Sequence, residues 1–364
     1  MDAPPASGPA GIDLDDPQVV RALEDDGMLA LACSLPDQVL TGWESGVAVE
    51  LPTGYAEPSS FVVAGVGGSA MGADLVGGIT RRSLSVPLVV SRDYTLPAFV
   101  GPDSLVVCSS YSGGTEETLS AFRQAEKAGA RIVLLGSGGE LFEAGASYPK
   151  IRLRTRGMPR AAVGESVMAL LGLLDQLDLV TDLEHDLPGA LLSLRTTVGA
   201  LDLHVAERNN PAKSLARRLH GRMPVVIGVG HLGPVARRWK SQFNENPDQF
   251  AFWDELPEFN HNSIQGLNLP PVARETLHAV FLLPAGRYAR TVRQGKIAAK
   301  LLERSGVAVS ILDIKGDTSL AQVLISMVWG DFVSLYLAAL NGVRPTPIDN
   351  IGLLKREMAR GETV

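Results

Sequence analysis

Short apolar runs, each ending in glycine or hydroxylated residues, alternate along this chain with longer amphipathic segments. Runs over Phe61–Val66, Pro87–Ser91, Ser104–Ser110 and Arg131–Gly136 have the length and β-branched content of buried strands. Helical spacing of apolar residues separates them, notably over Ala70–Gly78 and Thr115–Gly129. A more charged, mainly helical stretch follows over Val180–Leu219, and then the alternation restarts. Strands are predicted over Pro224–Gly230, Leu277–Pro284 and Val307–Ile314, with helices over Gly233–Phe243, Ala289–Ser305 and Leu320–Asn341. Such alternation predicts α/β units built on parallel sheets with helices on both faces. We therefore expect two units, over 56–180 and 219–345, joined by a helical connection over 181–218. An N-terminal region over 1–55 begins with a loose Pro/Ala/Gly tail. It continues with one helix from Asp15 through about Asp26 and another over Met28–Leu40. A C-terminal helix over 346–364 ends the chain.

The 364 residues suffice for two cores, and 45% hydrophobic with 20% charged residues is a globular composition. A net charge of −7 argues against a broad nucleic-acid footprint, so a phosphate ligand must find local donors. Cys33 and Cys108 show no metal-ligand spacing and fit a reducing compartment. The first residues lack a signal-peptide pattern, and no uncharged apolar run reaches membrane-spanning length. The expected location is cytoplasmic, with no membrane partner.

Chemistry concentrates at strand ends. In SLVVCSSYSGGTEETL (Ser104–Leu119), Ser109, Ser110, Ser112 and Thr115 crowd a turn that Gly113 and Gly114 allow to bend sharply. A helix N-terminus ringed by hydroxyls and free N–H groups suits a phosphomonoester. FVVAGVGGSAMGADLV (Phe61–Val76) offers a second such turn, with Gly67, Gly68 and Ser69. Its Gly65-x-Gly67-x-x-Ala70 spacing also matches a dinucleotide-binding turn, with Arg92 and Asp93 near where the ribose-binding acid would lie. That NAD(P) reading leaves the hydroxyl-rich second loop unexplained. A purely structural reading treats both loops as tight turns. The later unit lacks such a loop, Gly228, Gly230 and His231 standing where Gly67, Gly68 and Ser69 stand earlier.

The stretch Gln242–Ile264 is dense in charge, asparagine and aromatic residues without periodicity, and reads as a loop. Glu245 follows a helix bearing Arg237, Arg238 and Lys240, while His261 is flanked by Asn260 and Asn262. The remaining histidines, Trp239 and Trp253 read as surface or packing groups, and Asp254, Glu255 and Glu258 as a solvated face.

Several motifs in order resemble one family, the bifunctional phosphoglucose/phosphomannose isomerases, proteins with two sugar-isomerase (SIS) domains. They are GVGGSAMGADL, SSYSGGTEETL, GMPRAA (Gly157–Ala162), RWKSQFNEN (Arg238–Asn246), PEFNHNSI (Pro257–Ile264) and GDFVSLYLAALNGVRPTPIDNIGLLK (Gly330–Lys355). The resemblance implies that Gly68, Ser69, Ser110, Ser112 and Thr115 bind the phosphate of a hexose 6-phosphate, with Gly67 close to the substrate. It implies Arg160 beside the reacting carbons, Glu245 as catalytic base, and His261 with Lys355 serving ring opening. It further implies no metal, nicotinamide or other cofactor, and a homodimer whose partner supplies the histidine. The C-terminal helix is then expected to pack on the active site, and Thr346 to leave room for either C2 epimer. Three positions depart from the family's usual pattern: Gly114 in place of asparagine, Pro247-Asp248 where a lysine is common, and Arg344 where an acid is common. A non-catalytic sugar-phosphate-binding SIS protein is the alternative.

Overall fold

The apolar runs become two parallel sheets in the computed structural model, which describes residues 11–23, 27–266 and 269–359. Three helices come first: α1 (Pro17–Leu23), α2 (Met28–Cys33) and α3 (Leu35–Val47). The first sheet is built from β1 (Ser60–Ala64), α4 (Gly67–Thr80), β2 (Leu88–Ser91), β3 (Ser104–Ser109), α5 (Glu116–Lys127), β4 (Arg131–Gly136), α6 (Glu140–Ala144) and β5 (Lys150–Arg152). Helices α7 (Val163–Gln176), α8 (Leu183–Leu201) and α9 (Pro211–Leu219) lead to the second. That sheet comprises β6 (Met223–Val229), α10 (Gly233–Glu245), β7 (Phe252–Leu256), α11 (Val272–Thr276), β8 (Leu277–Pro284), α12 (Ala289–Arg304) and β9 (Ala308–Ile314). Helices α13 (Ser319–Asn341) and α14 (Asp349–Ala359) follow.

Strand orders are β2-β1-β3-β4-β5 and β7-β6-β8-β9, and every pairing is parallel. Alternate side chains of each inner strand enter different cores. Phe61, Val63, Leu105 and Val107 face α4 and α7, whereas Val62, Ala64, Val106 and Cys108 face α5 and α6. Val226, Val280 and Leu282 of the second sheet join the same core as Phe61 and Val63, so one apolar core runs between the sheets. Helix α13 occupies it, and 94% of its most apolar window is buried. Its length and apolarity would span a bilayer, but burial against α8, α9 and α10 accounts for both. Trp239 packs over Gly330 so closely that a Cβ there would lie 2.4 Å from the indole nitrogen, which donates to Ser326 O at 2.7 Å.

Three expectations need correction. The helix expected over Met28–Leu40 is two helices, because Pro36 lacks an N–H and its ring clashes with the carbonyl one turn back. The stretch read as a loop over Gln242–Ile264 holds the last turn of α10 and the edge strand β7. In the second unit, Gly230 (φ 60°) matches Gly67 (φ 55°), so Gly228 corresponds to Gly65 and His231 to Gly68. The first ten residues of the expected tail, and the end of the first helix at residues 24–26, lie outside the described residues.

Candidate active site

The cavity of interest, about 250 Å³, lies where the N-terminus of α4 meets the C-terminal half of α10. Gly67 and Gly68 open α4 on one wall, Arg160 comes from the turn before α7, and Glu245 closes α10. Glycine is required at position 67 by its positive φ. At Gly68 a Cβ would press to 3.3 Å from the Pro159 carbonyl, so the first loop touches the turn that carries Arg160.

Arg160 Nη1 lies 3.5 Å from Glu245 Oε2. The arginine is fixed on every side: Nε donates to Asn246 Oδ1 at 2.7 Å, and Nη2 donates to the carbonyls of Pro345 at 2.6 Å and Thr346 at 3.2 Å. Its side chain is 6% exposed, whereas that of Glu245 is 29% exposed, so the carboxylate is reachable from the cavity. Burial pushes the Glu245 carboxyl above the ordinary glutamate value, and Arg160, Lys240 and Arg238 pull it back. Arg160 is lowered by its own burial and raised by Glu245. A proton acceptor and a rigid cation thus share one small space.

A buried network stands behind them. Arg238 Nη2 donates to Asp331 Oδ1 at 2.8 Å and to the Arg160 carbonyl at 3.1 Å, while Gln242 Nε2 donates to Asp331 Oδ1 at 2.5 Å. Asn246 Nδ2 donates to Ser334 Oγ at 2.8 Å. Arg238 and Gln242 lie one turn apart on α10, with Asn246 a turn further at its C-cap, and Asp331 and Ser334 lie one turn apart on α13, so each helix brings its polar groups to one face.

This geometry bears on comparisons with known proteins. A family model described as the bacterial phospho-glucose isomerase C-terminal SIS domain matches residues 208–358. A bifunctional phosphoglucose/phosphomannose isomerase from Caldicellulosiruptor bescii is 33% identical over 331 residues, covering 90% of this chain and 97% of that protein. The chain belongs to the bifunctional phosphoglucose/phosphomannose isomerase family. The Aquifex aeolicus member is 33% identical over 304 residues, 82% of this chain and 90% of its own length. Among solved structures, a hypothetical protein from Thermus thermophilus superposes with a TM-score of 0.72 over 94% of both chains at 16% identity, which speaks for the fold.

Within this family framework the expected site residues fall into three groups. Arg160, Glu245, Gly67 and Gly68 share the cavity. Ser69, Ser110, Ser112 and Thr115 do not line it, although Ser69 follows Gly68 in the first turn of α4. Ser69 Oγ accepts from Tyr111 N at 3.3 Å, joining the two loops, while Ser110 and Thr115 hydroxyls bond each other at 2.8 Å. Gly113 is fixed by its φ of 74° and by the Gly138 carbonyl, which a Cβ would meet at 1.8 Å. Gly114, the departure, faces open space. His261 and Lys355 form the third group: both are exposed and neither lines the cavity. Among the described residues, the C-terminal helix expected over the site contributes none to the cavity wall, and Leu353 and Leu354 of α14 are exposed; residues 360–364 of that expected helix lie outside the described residues. Thr346 lies behind Arg160, its hydroxyl buried without a partner among the described residues.

Sequence reasoning missed Asp74, weighed Arg92 only beside Asp93 for a dinucleotide site, and read Trp253 as packing, yet all three line the cavity. Asp74 pairs with Arg92 and with Arg237, the latter at 3.3 Å. The Arg237 guanidinium in turn lies 5.7 Å from the centre of the Trp253 ring, which a strand at the sheet's edge leaves 38% exposed. Asp93, weighed for a dinucleotide site, is exposed and outside this cavity. Five cationic side chains against two carboxylates line the space, a positive lining in a negatively charged chain. The four residues Arg237-Arg238-Trp239-Lys240 were the available signal for it.

Proposed function

We propose that the chain interconverts glucose 6-phosphate and mannose 6-phosphate with fructose 6-phosphate, without a cofactor, through a cis-enediol(ate) intermediate. The observation that carries this reading is Glu245 facing Arg160 at 3.5 Å in a cavity walled by the N-terminus of α4. Glu245 removes the proton from C2 of the aldose, or C1 of the ketose, and returns it to the neighbouring carbon. Arg160, held by Asn246 and two carbonyls, stabilises negative charge growing on the enediol oxygens without having to reorganise. Ser69, Ser110, Ser112 and Thr115, with the N–H groups opening α4 and α5, hold the phosphate as a remote handle. We assign Thr346, whose carbonyl holds Arg160, to the tolerance of either epimer at C2, acting through the position of that arginine.

Ring opening needs a second acid/base pair, which we assign to His261 and Lys355. Since His261 is exposed and outside its own chain's cavity, we assign it to the site of a second copy, making the working enzyme a homodimer. The exposed β7 aromatics Phe252 and Trp253, and the exposed leucines of α14, support such an association.

Purified protein given fructose 6-phosphate in deuterated water, with a chelator present, should release glucose and mannose 6-phosphates labelled at C2. Glu245→Gln should retain sugar-phosphate binding and lose label incorporation and turnover by about 10²–10⁴-fold. Undiminished turnover would reject Glu245 as the base, and binding without turnover of either epimer by the native chain would make it a sugar-phosphate-binding protein instead.

A further inference from the structure

The second sheet reverses its strand order between β6 and β8, the position at which open α/β sheets form a ligand crevice. The chain repeats a Gly-Val-Gly turn there, Gly228-Val229-Gly230 answering Gly65-Val66-Gly67. This crevice is filled from within. Tyr288 covers Gly230 so closely that a Cβ would come within 2.8 Å of its ring, and the ring centre lies 5.6 Å from that of His231. Tyr288 holds φ at 50°, a left-handed backbone that non-glycine residues adopt at a cost. A ligand at this sheet must therefore sit outside the switch point.

An open cleft of about 720 Å³ lies there, at the ends of β8 and β9. Arg82 reaches it from the turn after α4, Arg287 from the loop after β8, and Lys315 from the loop after β9. Among the described residues none of the three pairs with a carboxylate, and Arg287 donates only to the Asp317 carbonyl, at 2.8 Å. Asp317 is the single acid of the lining. Helix α12, sixteen residues long, starts at the cleft with Tyr288 as its N-cap and no side chain capping its first N–H groups. Behind the lining, Gln322, 0% exposed, donates to the carbonyls of Ala285 at 2.8 Å and Gly316 at 2.9 Å, fixing both loops that border the cleft.

We infer that this cleft is a second anion site, taking the dianionic head of a phosphomonoester and separate from the Arg160–Glu245 cavity. Three unpaired cations and the positive end of a helix converge on one open space, which is the chemistry of phosphate recognition. Arg82 belongs to the first α/β unit and Arg287 and Lys315 to the second, so a bound phosphate would tie the two together.

Inorganic phosphate is the first probe, titrated calorimetrically into the full chain at constant ionic strength. Wild type is expected to bind two phosphates per chain, and Arg287→Gln/Lys315→Gln one. That variant should keep its turnover of fructose 6-phosphate in phosphate-free buffer, because neither residue lines the proposed catalytic cavity. Arg82→Gln alone should weaken the same event by about tenfold or more, which covers the case of a double variant that fails to fold. Phenyl phosphate is expected to displace inorganic phosphate from the cleft. An unchanged stoichiometry in Arg287→Gln/Lys315→Gln, or failure of phenyl phosphate to compete, overturns the inference. Ser110→Ala/Ser112→Ala tests the other site: it should lose the remaining phosphate, and if it does not, the active-site reading fails while the cleft stands.

Discussion

Removing the Asp331 carboxylate should lower stability and activity by routes that can be measured apart. In Asp331→Ala the Arg238 guanidinium, 2% exposed, keeps only the carbonyls of Arg160 and Met327 among the described residues, and its Nε already lacks a partner. Stranding one member of a buried ion pair costs about 3–5 kcal/mol. Gln242 loses its acceptor as well, adding about 1 kcal/mol. An unfolding entropy of about 2.1 cal/mol/K per residue gives roughly 0.75 kcal/mol per degree for a chain this long, so Asp331→Ala should melt about 5–8 °C below wild type. Arg238 also holds the Arg160 carbonyl at 3.1 Å, and a loosened Arg160 should lower kcat by about tenfold or more. The separating variant is Arg238→Met/Asp331→Leu. Apolar groups replacing a buried pair are commonly neutral or stabilising, so its melting temperature should return while kcat stays low. Calorimetry with steady-state kinetics on fructose 6-phosphate reads both. Should the double variant regain full kcat, Arg160 is positioned without this network; should Asp331→Ala melt with wild type, the pair is not buried as described.

Three further outcomes follow from the site. Because burial raises the Glu245 carboxyl above its ordinary value, the acid limb of kcat/KM should fall at a pH above that of an exposed glutamate. The same shift means the folded chain binds this proton more tightly than the unfolded one. Wild type should then lose stability relative to Glu245→Gln as pH rises through the folded value, and matching pH slopes in urea melts would refute the shift. Gly113→Ala places a Cβ 1.8 Å from the Gly138 carbonyl at a φ of 74°; it should raise KM for hexose 6-phosphates and lower the melting temperature, and unchanged kinetics would remove this loop from the phosphate site.

Both sheets were legible because parallel strands covered on two faces read as unbroken apolar runs, as Phe61–Ala64 and Ala279–Leu283 do. Strand β7 escaped for the opposite reason. It is an edge strand whose Phe252, Trp253 and Glu255 face solvent, so charge and aromatic residues hid its pairing with β6. Strand β5 has only three residues, too few for any period to register. Glu245 drew attention through the basic helix before it, whereas Arg160 and the roles expected of both came only through motif order. Asp74 could not be found that way: its partners Arg92 and Arg237 come from the end of β2 and the middle of α10, a convergence that no sequence spacing encodes.

The backbone itself sets opposite polarities at the two ends of this cavity. Gly67 begins α4, so the wall it forms presents free N–H groups and the positive end of a helix dipole. Glu245 ends α10, where carbonyls point outward and the dipole disfavours a carboxylate. Burial acts in the same direction on Glu245, and Arg160 opposes both without cancelling them. Exchanging the two placements would fail twice. A carboxylate at the N-terminus of α4 would be too weakly basic to take a proton from carbon, and a phosphate at the C-terminus of α10 would be repelled. Under the proposed function, an anionic handle beside the N-terminus of α4 and a proton-accepting carboxylate can serve one substrate because helices from different sheets meet at this cavity with opposite ends.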